Sequence, residues 1–317
     1  MFFKVARAPK NKYVVFTVVV GCYDEVLQPV VIDDRFDYIL FTDHISSDLI
    51  GVWKVRTFDY HNDDNTRESR YPKMHPEELL PEYEASLYID ANICIANKVV
   101  YDKVVSFNEQ GKDWAGLSFQ HPYDCVYAHA YYVMIRGFDK EKIVFDLCHF
   151  LRKEGYPRRN GLHENNVIYR KNNKICHVID ESWWELYCRY SRRDQLSLDY
   201  VLWKHPEVKL ELFLPKGQRA CNSDFFLFRS HNTGRDNVPP YRFVKQNAFE
   251  FIKNKIRAHI PRKRDRFEDF HYWLYGRSPS VSRIILLFWC IIYTPEYLLG
   301  VFKRRWINKY KQSRQCE

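Results

Sequence analysis

The sequence lacks the cysteine and glycine patterns on which many small-molecule sites are built. Its nine cysteines are scattered singly, with no Cys-x-x-Cys pair and no Cys/His cluster at zinc spacing. That argues against a structural zinc site and suits free thiols in a reducing compartment. No Gly-rich phosphate fingerprint follows the first apolar run, and no Gly-x-Ser-x-Gly elbow is present, so neither a dinucleotide loop nor a serine-hydrolase nucleophile is signalled. The basic start and the apolar stretch 13–22 imitate a secretion signal, but Tyr23-Asp24-Glu25 stands where small residues would mark cleavage. The stretch therefore reads as a first strand, and a cytosolic location is expected.

What is present is a globular composition. Across 317 residues, 46% are hydrophobic and 17% aromatic, too much apolar surface for a disordered chain. The formal net charge of +9 is unevenly spread. From residue 241 onward there are 17 Lys/Arg against 6 Asp/Glu, which leaves 32 and 34 before it. A nearly neutral body at 1–240 is thus followed by a basic tail at 241–317, of the kind that attracts an anionic surface.

The body reads as α/β. Residues 12–20 are β-branched and nearly continuous, as in a strand covered on both faces. Residues 37–42, 52–57 and 86–89 add three more strands, with connections long enough for crossovers, so a mostly parallel sheet is expected. Residues 59–70 read as a polar loop. Further on, 114–119 and the end of 155–170 read as strands, and 124–135, 139–153, 175–190 and 196–204 as helices. Trp183, Trp184 and Tyr187 form a stripe that reads as core.

The segment 70–92 organises the candidate chemistry. Arg70 and Lys73 place two cations just before a short helix-like turn punctuated by Pro72, Pro76 and Pro81, and the strand 86–89 ends at Asp90-Ala91-Asn92. Ligands of open α/β sheets bind beyond the carboxyl ends of the strands. An Asp-x-Asn there can offer oxygen ligands to a hard cation, or it can simply make a turn through its own backbone.

Five segments in this order, 37–43, 70–92, 121–127, 155–170 and 183–203, resemble a glycosyltransferase-like family formerly described only as a domain of unknown function. Its plant members include one reported as an alkaline ceramidase and one implicated in mucilage polysaccharide synthesis. The resemblance implies a GT-A-like fold with a Rossmann-like nucleotide-binding half. It also implies transfer of a sugar from a nucleotide-sugar donor to a cell-surface polysaccharide or lipid-linked glycan acceptor. Carried over by position, Thr17, Tyr23, Asp43, Arg70 and Lys73 would contact the donor. Asp90 and Asn92, with His205 as a third ligand, would hold manganese or magnesium, although Asn92 stands where an aspartate is usual and is a weaker ligand for such a cation. Glu164, Asp194 and Gln195 would flank the reacting centre, with Glu164 or Asp194 as base.

Plainer readings stand beside these. Asp194 would serve as an N-terminal cap, Glu164 would pair with Arg158 or Arg159, His205 would be a surface residue at a helix end, and His121 is a turn residue or an acceptor contact. A ceramide-type lipid hydrolase and a non-catalytic nucleotide-sugar scaffold are the rival functions. In the tail, 284–302 is nearly apolar but broken by Pro295 and Glu296 and flanked by cations. It reads as an in-plane or re-entrant anchor that, with the rest of 257–311, holds the protein to the inner face of a membrane rather than to nucleic acid, the plainer reading being a buried pair of C-terminal helices.

Overall fold

The computed structural model describes residues 11–119, 124–135, 137–229 and 261–293. His121 and the segments 257–260 and 294–311 lie outside them. The described chain forms two compact units, one from 11–119, Asp124 and 161–229, the other from 125–135, 137–160 and the C-terminal helices. Sequence gives no sign that 125–160 leaves the first unit.

The larger unit is a mixed α/β fold. Its strands are Tyr13–Val19 (β1), Phe36–Thr42 (β2), Leu49–Ile50 (β3), Trp53–Arg56 (β4), Ala85–Ile89 (β5), Ile93–Ile95 (β6), Trp114–Ser118 (β7), His163–Lys171 (β8), Leu210–Leu212 (β9) and Phe226–Phe228 (β10). Eight of them form one sheet in the order β3-β4-β2-β1-β5-β8-β7-β9. β1 is parallel to β2 and β5, β2 to β4, and β7 to β9, while β8 runs antiparallel to both β5 and β7. β6 and β10 form a small antiparallel pair. Every residue of β1, β2 and β5 is buried, which accounts for their unbroken apolar patterns.

Helices Asn65–Met74 (α1), Pro76–Leu79 (α2), Val99–Glu109 (α3), Lys174–Arg189 (α6) and Leu198–Lys204 (α7) belong to this unit, and Val126–Ile135 (α4), Glu141–Lys153 (α5), Pro261–Tyr275 (α8) and Pro279–Tyr293 (α9) to the other. The polar stretch 59–70, expected as a loop, contains the first half of α1. Asp64 caps it, its side chain accepting from the Thr66 N–H at 3.0 Å, which satisfies one of the free donors of a helix start. Arg67 then reaches the carbonyls of Tyr187 (2.9 Å) and Tyr190 (3.2 Å) at the end of α6, where a cation is favoured by the helix dipole. Long-range contacts of this kind are invisible to local pattern.

β8 carries Arg170, which is 2% exposed. Its guanidinium donates to Asp180 of α6 at 2.7 Å and to the Lys73 carbonyl at the end of α1 at 2.5 Å. One buried cation therefore ties both helices to the sheet. Trp183 packs edge-on against Trp114, with ring centroids 6.1 Å apart, and Trp183 and Tyr187 are buried as expected of core, whereas Trp184 is only half-buried, edge-on to Tyr60, Tyr71 and His75.

After β1 the chain turns at Gly21, with φ +62°. A Cβ built there would lie 1.9 Å from the Asn65 side-chain nitrogen. Only glycine allows both the left-handed backbone and the approach of α1. Gly21→Ala is expected to destabilise the protein by about 1–3 kcal/mol, measured as the loss in denaturant-unfolding free energy. An unchanged midpoint would show that Asn65 moves away at no cost.

Candidate functional site

The parallel strands fix one edge of the sheet as the carboxyl edge. Gly21 follows β1, Asp43 follows β2, Asp90 follows β5 and Ser118 ends β7. Because β8 is antiparallel, its amino end, His163 to Asn166, lies at the same edge, in register with Ser118 and joined to Asp90 by the Asp90 N–H to Asn166 carbonyl bond of 2.9 Å. α1 brings Arg70 and Lys73 to this edge, and the short 3-10 turn Asp194–Leu196 brings Asp194.

At its centre is a buried ion pair. Lys73 Nζ lies 2.6 Å from Asp194 Oδ2 and 3.9 Å from Asp90 Oδ1, and the Lys73 side chain is 1% exposed. Its ammonium also sits 4.7 Å from the Tyr88 ring centroid, a favourable cation–π placement. Arg70 Nε approaches Asp194 Oδ2 to 3.4 Å but makes no hydrogen bond. Burial alone would push the Asp194 carboxyl up; Lys73, Arg70 and Arg193 together outweigh it and hold the group well below the ordinary carboxylate range. Burial lowers the Lys73 pKa, opposed by Asp194 and Asp90. Asp194 is thus a fixed anion rather than a proton acceptor, and its side chain is spent on Lys73 and on the Gln195 N–H (3.0 Å). It does not cap α7, which begins four residues later.

Asp90 is more accessible, its side chain 29% exposed, and one oxygen accepts from the Tyr88 hydroxyl at 2.7 Å. The Asn92 side-chain amide nitrogen donates to the Arg229 backbone carbonyl (3.1 Å), and the Asn92 backbone carbonyl accepts the Arg229 N–H; Arg229 in turn pairs with Glu25. Asp43 is occupied by the Gly21 N–H, 3.1 Å from each oxygen, and by His44 at 2.6 Å. It shapes the loop after β1. Tyr23 projects from that loop, 61% exposed, and feels the charges of Asp24, Arg193, Arg70 and Asp90. Thr17 lies inside β1, 2% exposed, one turn of the pleat short of the edge.

Two expected residues are placed elsewhere in role. Glu164 is at the edge but held by Arg219, with Oε1 3.0 Å from Nε and 2.5 Å from Nη2, and by the Ala220 N–H. It pairs with neither Arg158 nor Arg159; Arg219 lies 55 positions away in sequence. His205 ends α7, hydrogen-bonded to Glu207 at 3.2 Å. Its carbonyl accepts from Val208, and the next residue, Lys209, bonds Asp113 just before β7. That is the amino edge of the sheet, so His205 is not brought to Asp90. Among the described residues, no group of three His, Cys, Asp or Glu side chains is arranged to hold a metal ion. The donors at hand are Asp90 and the Asn92 amide oxygen. Two such donors are too few for a self-contained protein cage.

Sequence reasoning missed a dyad. His163 Nδ1 lies 2.6 Å from Asp199 Oδ1, and the other Asp199 oxygen accepts the His163 N–H at 2.9 Å. The ring packs on Gly116, where a Cβ would meet His163 Cδ2 at 3.2 Å. Burial would lower the His163 pKa, but Asp199 raises it above the ordinary value. Its Nε2 makes no hydrogen bond within the described residues. Ser118 stands opposite in register yet gives its Oγ to the Gly217 N–H, so the two form no nucleophile–base pair. Only the spacing to Asp199, 36 residues, separates this histidine from eleven others, which is why no local signal marks it.

No protein-family model matches the chain, and no curated protein matches it. Among solved structures, the apo structure of the bifunctional glycosyltransferase WbbM aligns with a TM-score of 0.40 and 10% identity. The alignment covers 66% of this chain and 40% of that one, so this chain spans less than half the length of that relative. Likeness at this level assigns no activity.

Replacing one member of the buried pair strands the other charge. Lys73→Met or Asp194→Asn is expected to cost about 3–5 kcal/mol, with the double variant less than additive in a double-mutant cycle. Asp194 has a folded pKa below its unfolded value of about 3.9. Its stabilisation is therefore complete above about pH 4 and is lost as pH falls through the folded value. Denaturant titrations from neutral to acid pH should show that loss, and Asp194→Asn should flatten it.

Proposed function

We propose that the carboxyl edge of the larger unit is the donor site of a glycosyltransferase, which binds a nucleoside diphosphate-sugar and passes the sugar to a hydroxyl of a glycan or lipid-linked acceptor. The observation that carries this reading is the gathering of Arg70, Lys73 and Arg193 around Asp194 and beside Asp90, at the strand ends where open α/β sheets bind ligands. Departure of a diphosphate needs fixed positive charge in a partly dry setting. Arg70 and Arg193, both half-buried, supply it, while Lys73, fully buried, fixes Asp194 and adds its field from below.

In this reading Tyr23 lies against the nucleoside, and Gln195, whose backbone N–H is held by Asp194, orients sugar hydroxyls. A manganese or magnesium ion, when bound, would be held by Asp90 and Asn92 and would supply further neutralisation of the leaving group. The acceptor hydroxyl must lose a proton. Glu164 is committed to Arg219 and Asp194 to Lys73, so the group best suited is His163. Asp199 holds its Nδ1–H, and Nε2 is left to take the proton, the orienting arrangement a general base requires.

Thermal unfolding of the purified protein against nucleoside diphosphates, with and without manganese, tests donor binding. One diphosphate should raise the midpoint, Arg70→Met should abolish the rise, and Asp90→Ala should remove only its manganese-dependent part. If no diphosphate shifts the midpoint of the native protein, the donor-site reading fails.

The base is tested separately, by release of diphosphate from the matching nucleotide sugar. His163→Gln is expected to leave the binding shift intact and slow turnover by about 10²–10⁴. Asp199→Asn removes the charge that raises the His163 pKa, so the acid limb of the pH–rate profile should move to lower pH. An unmoved limb would exclude His163 as the base.

A further inference from the structure

The smaller unit carries a surface that the proposed chemistry does not use. α8 and α9 form a helical hairpin that turns at Gly276 to Ser278. His271 of α8 and Ser282 of α9, 1% and 0% exposed, lock it together: His271 Nε2 lies 2.7 Å from Ser282 Oγ and 2.9 Å from its carbonyl oxygen. α5 supports the hairpin through Phe145 stacked on Tyr275 at 3.9 Å and Glu141 paired with Arg283 at 2.8 Å.

With its inner face so committed, the hairpin turns large apolar groups to solvent. Phe270 and Trp273 on α8 are 48% and 50% exposed, and Val281, Ile284 and Phe288 on α9 are 45%, 56% and 59% exposed. These five are nearly half of the exposed large hydrophobic residues among the described ones. Positions 281, 284 and 288 are spaced three and four apart, so they share one helix face. A concentrated patch of this kind marks an interaction surface.

Charge identifies the partner. Residues 261–293 contain six Lys/Arg and three Asp/Glu, and two of the three acids are taken up internally. Glu268 pairs with Arg158 at 3.1 Å, and Asp269 with Arg158 and Arg152 at 2.7 Å each. α9 has no carboxylate at all. The cations left over include Arg266 and Arg277, the latter with its guanidinium 4.1 Å from the Trp273 ring centroid, an aromatic–cation pair suited to a headgroup layer. A second copy of so basic a face would repel it.

We propose that the α8–α9 hairpin docks on an anionic lipid bilayer, lying in the plane of the interface with Phe270, Trp273, Ile284 and Phe288 inserted and the arginines among the headgroups. In-plane docking fits the placement of 281, 284 and 288 on one face of α9. No described helix is long and apolar enough to cross a membrane. The patch is distinct from the donor site, so this inference stands or falls independently of the proposed reaction.

The full-length protein should sediment with vesicles of phosphatidylcholine containing phosphatidylserine, and far less with phosphatidylcholine alone, with binding weakened by added salt. Trp273→Glu and Phe288→Glu, both at exposed positions, should each lower vesicle partitioning about tenfold without changing the thermal midpoint. Ile32→Glu, equally exposed in the other unit, should change nothing. Equal binding to neutral vesicles, no binding to either, or full binding by both hairpin variants overturns the proposal. So does a dimer in sedimentation equilibrium that Trp273→Glu dissociates, since the patch would then be an interface between copies.

Discussion

The buried Lys73–Asp194 pair is the constraint on which the larger unit depends. Two charges withdrawn from water are costly, and their mutual attraction offsets that only with good geometry and further partners. Here the partners come from every side. Asp90 and the Tyr88 ring approach the ammonium, while Arg70 and Arg193 reinforce the carboxylate's neighbourhood. Arg170 holds the Lys73 carbonyl, and Trp183 donates to the Asp194 carbonyl at 3.0 Å. The pair thereby fixes α1 and the turn at Asp194 over the ends of β1 and β5. Its value lies less in stability than in specifying one arrangement of helix, turn and strand.

That arrangement separates charges that are structural from charges that face solvent. Asp43, Glu164, Asp180 and Asp194 are each consumed by a named donor, and they shape loops or anchor helices. Asp90 remains the more open carboxylate, with Tyr23, Arg70 and Lys73 near it. The mixed direction of the sheet matters as much. Because β8 runs against its neighbours, its first residues arrive at the same edge as the last residues of β5 and β7. A histidine at the start of one strand therefore lies at the edge where two other strands end.

The smaller unit follows a different economy of charge. Two of the hairpin's carboxylates, Glu268 and Asp269, pair with Arg158 and Arg152, while five large apolar side chains of the hairpin face solvent. A soluble helical hairpin ordinarily does the reverse. The internal polar lock of His271 and Ser282 explains how the hairpin holds its shape with so much apolar surface facing out.

Much of the fold was legible in the amino-acid order. The buried strands β1, β2 and β5 declare themselves because both faces are covered and no polar alternation is needed. α5 and α6 show helical spacing because one face alone meets the core, and the Arg70 to Asn92 segment runs to the carboxyl edge of the sheet. Other features depended wholly on tertiary contact. α1 hides in a polar stretch because Asp64 and the carbonyls of α6 hold it, rather than an apolar face. Glu164 met Arg219, His205 went to the opposite edge, and His163 acquired Asp199, each through strand order. Local sequence sets which backbone shape a segment prefers, through side-chain sterics and burial. Which charges meet is decided by the crossovers of the sheet, since a Coulombic or hydrogen-bonded partner acts over a few ångströms of space and is indifferent to separation along the chain.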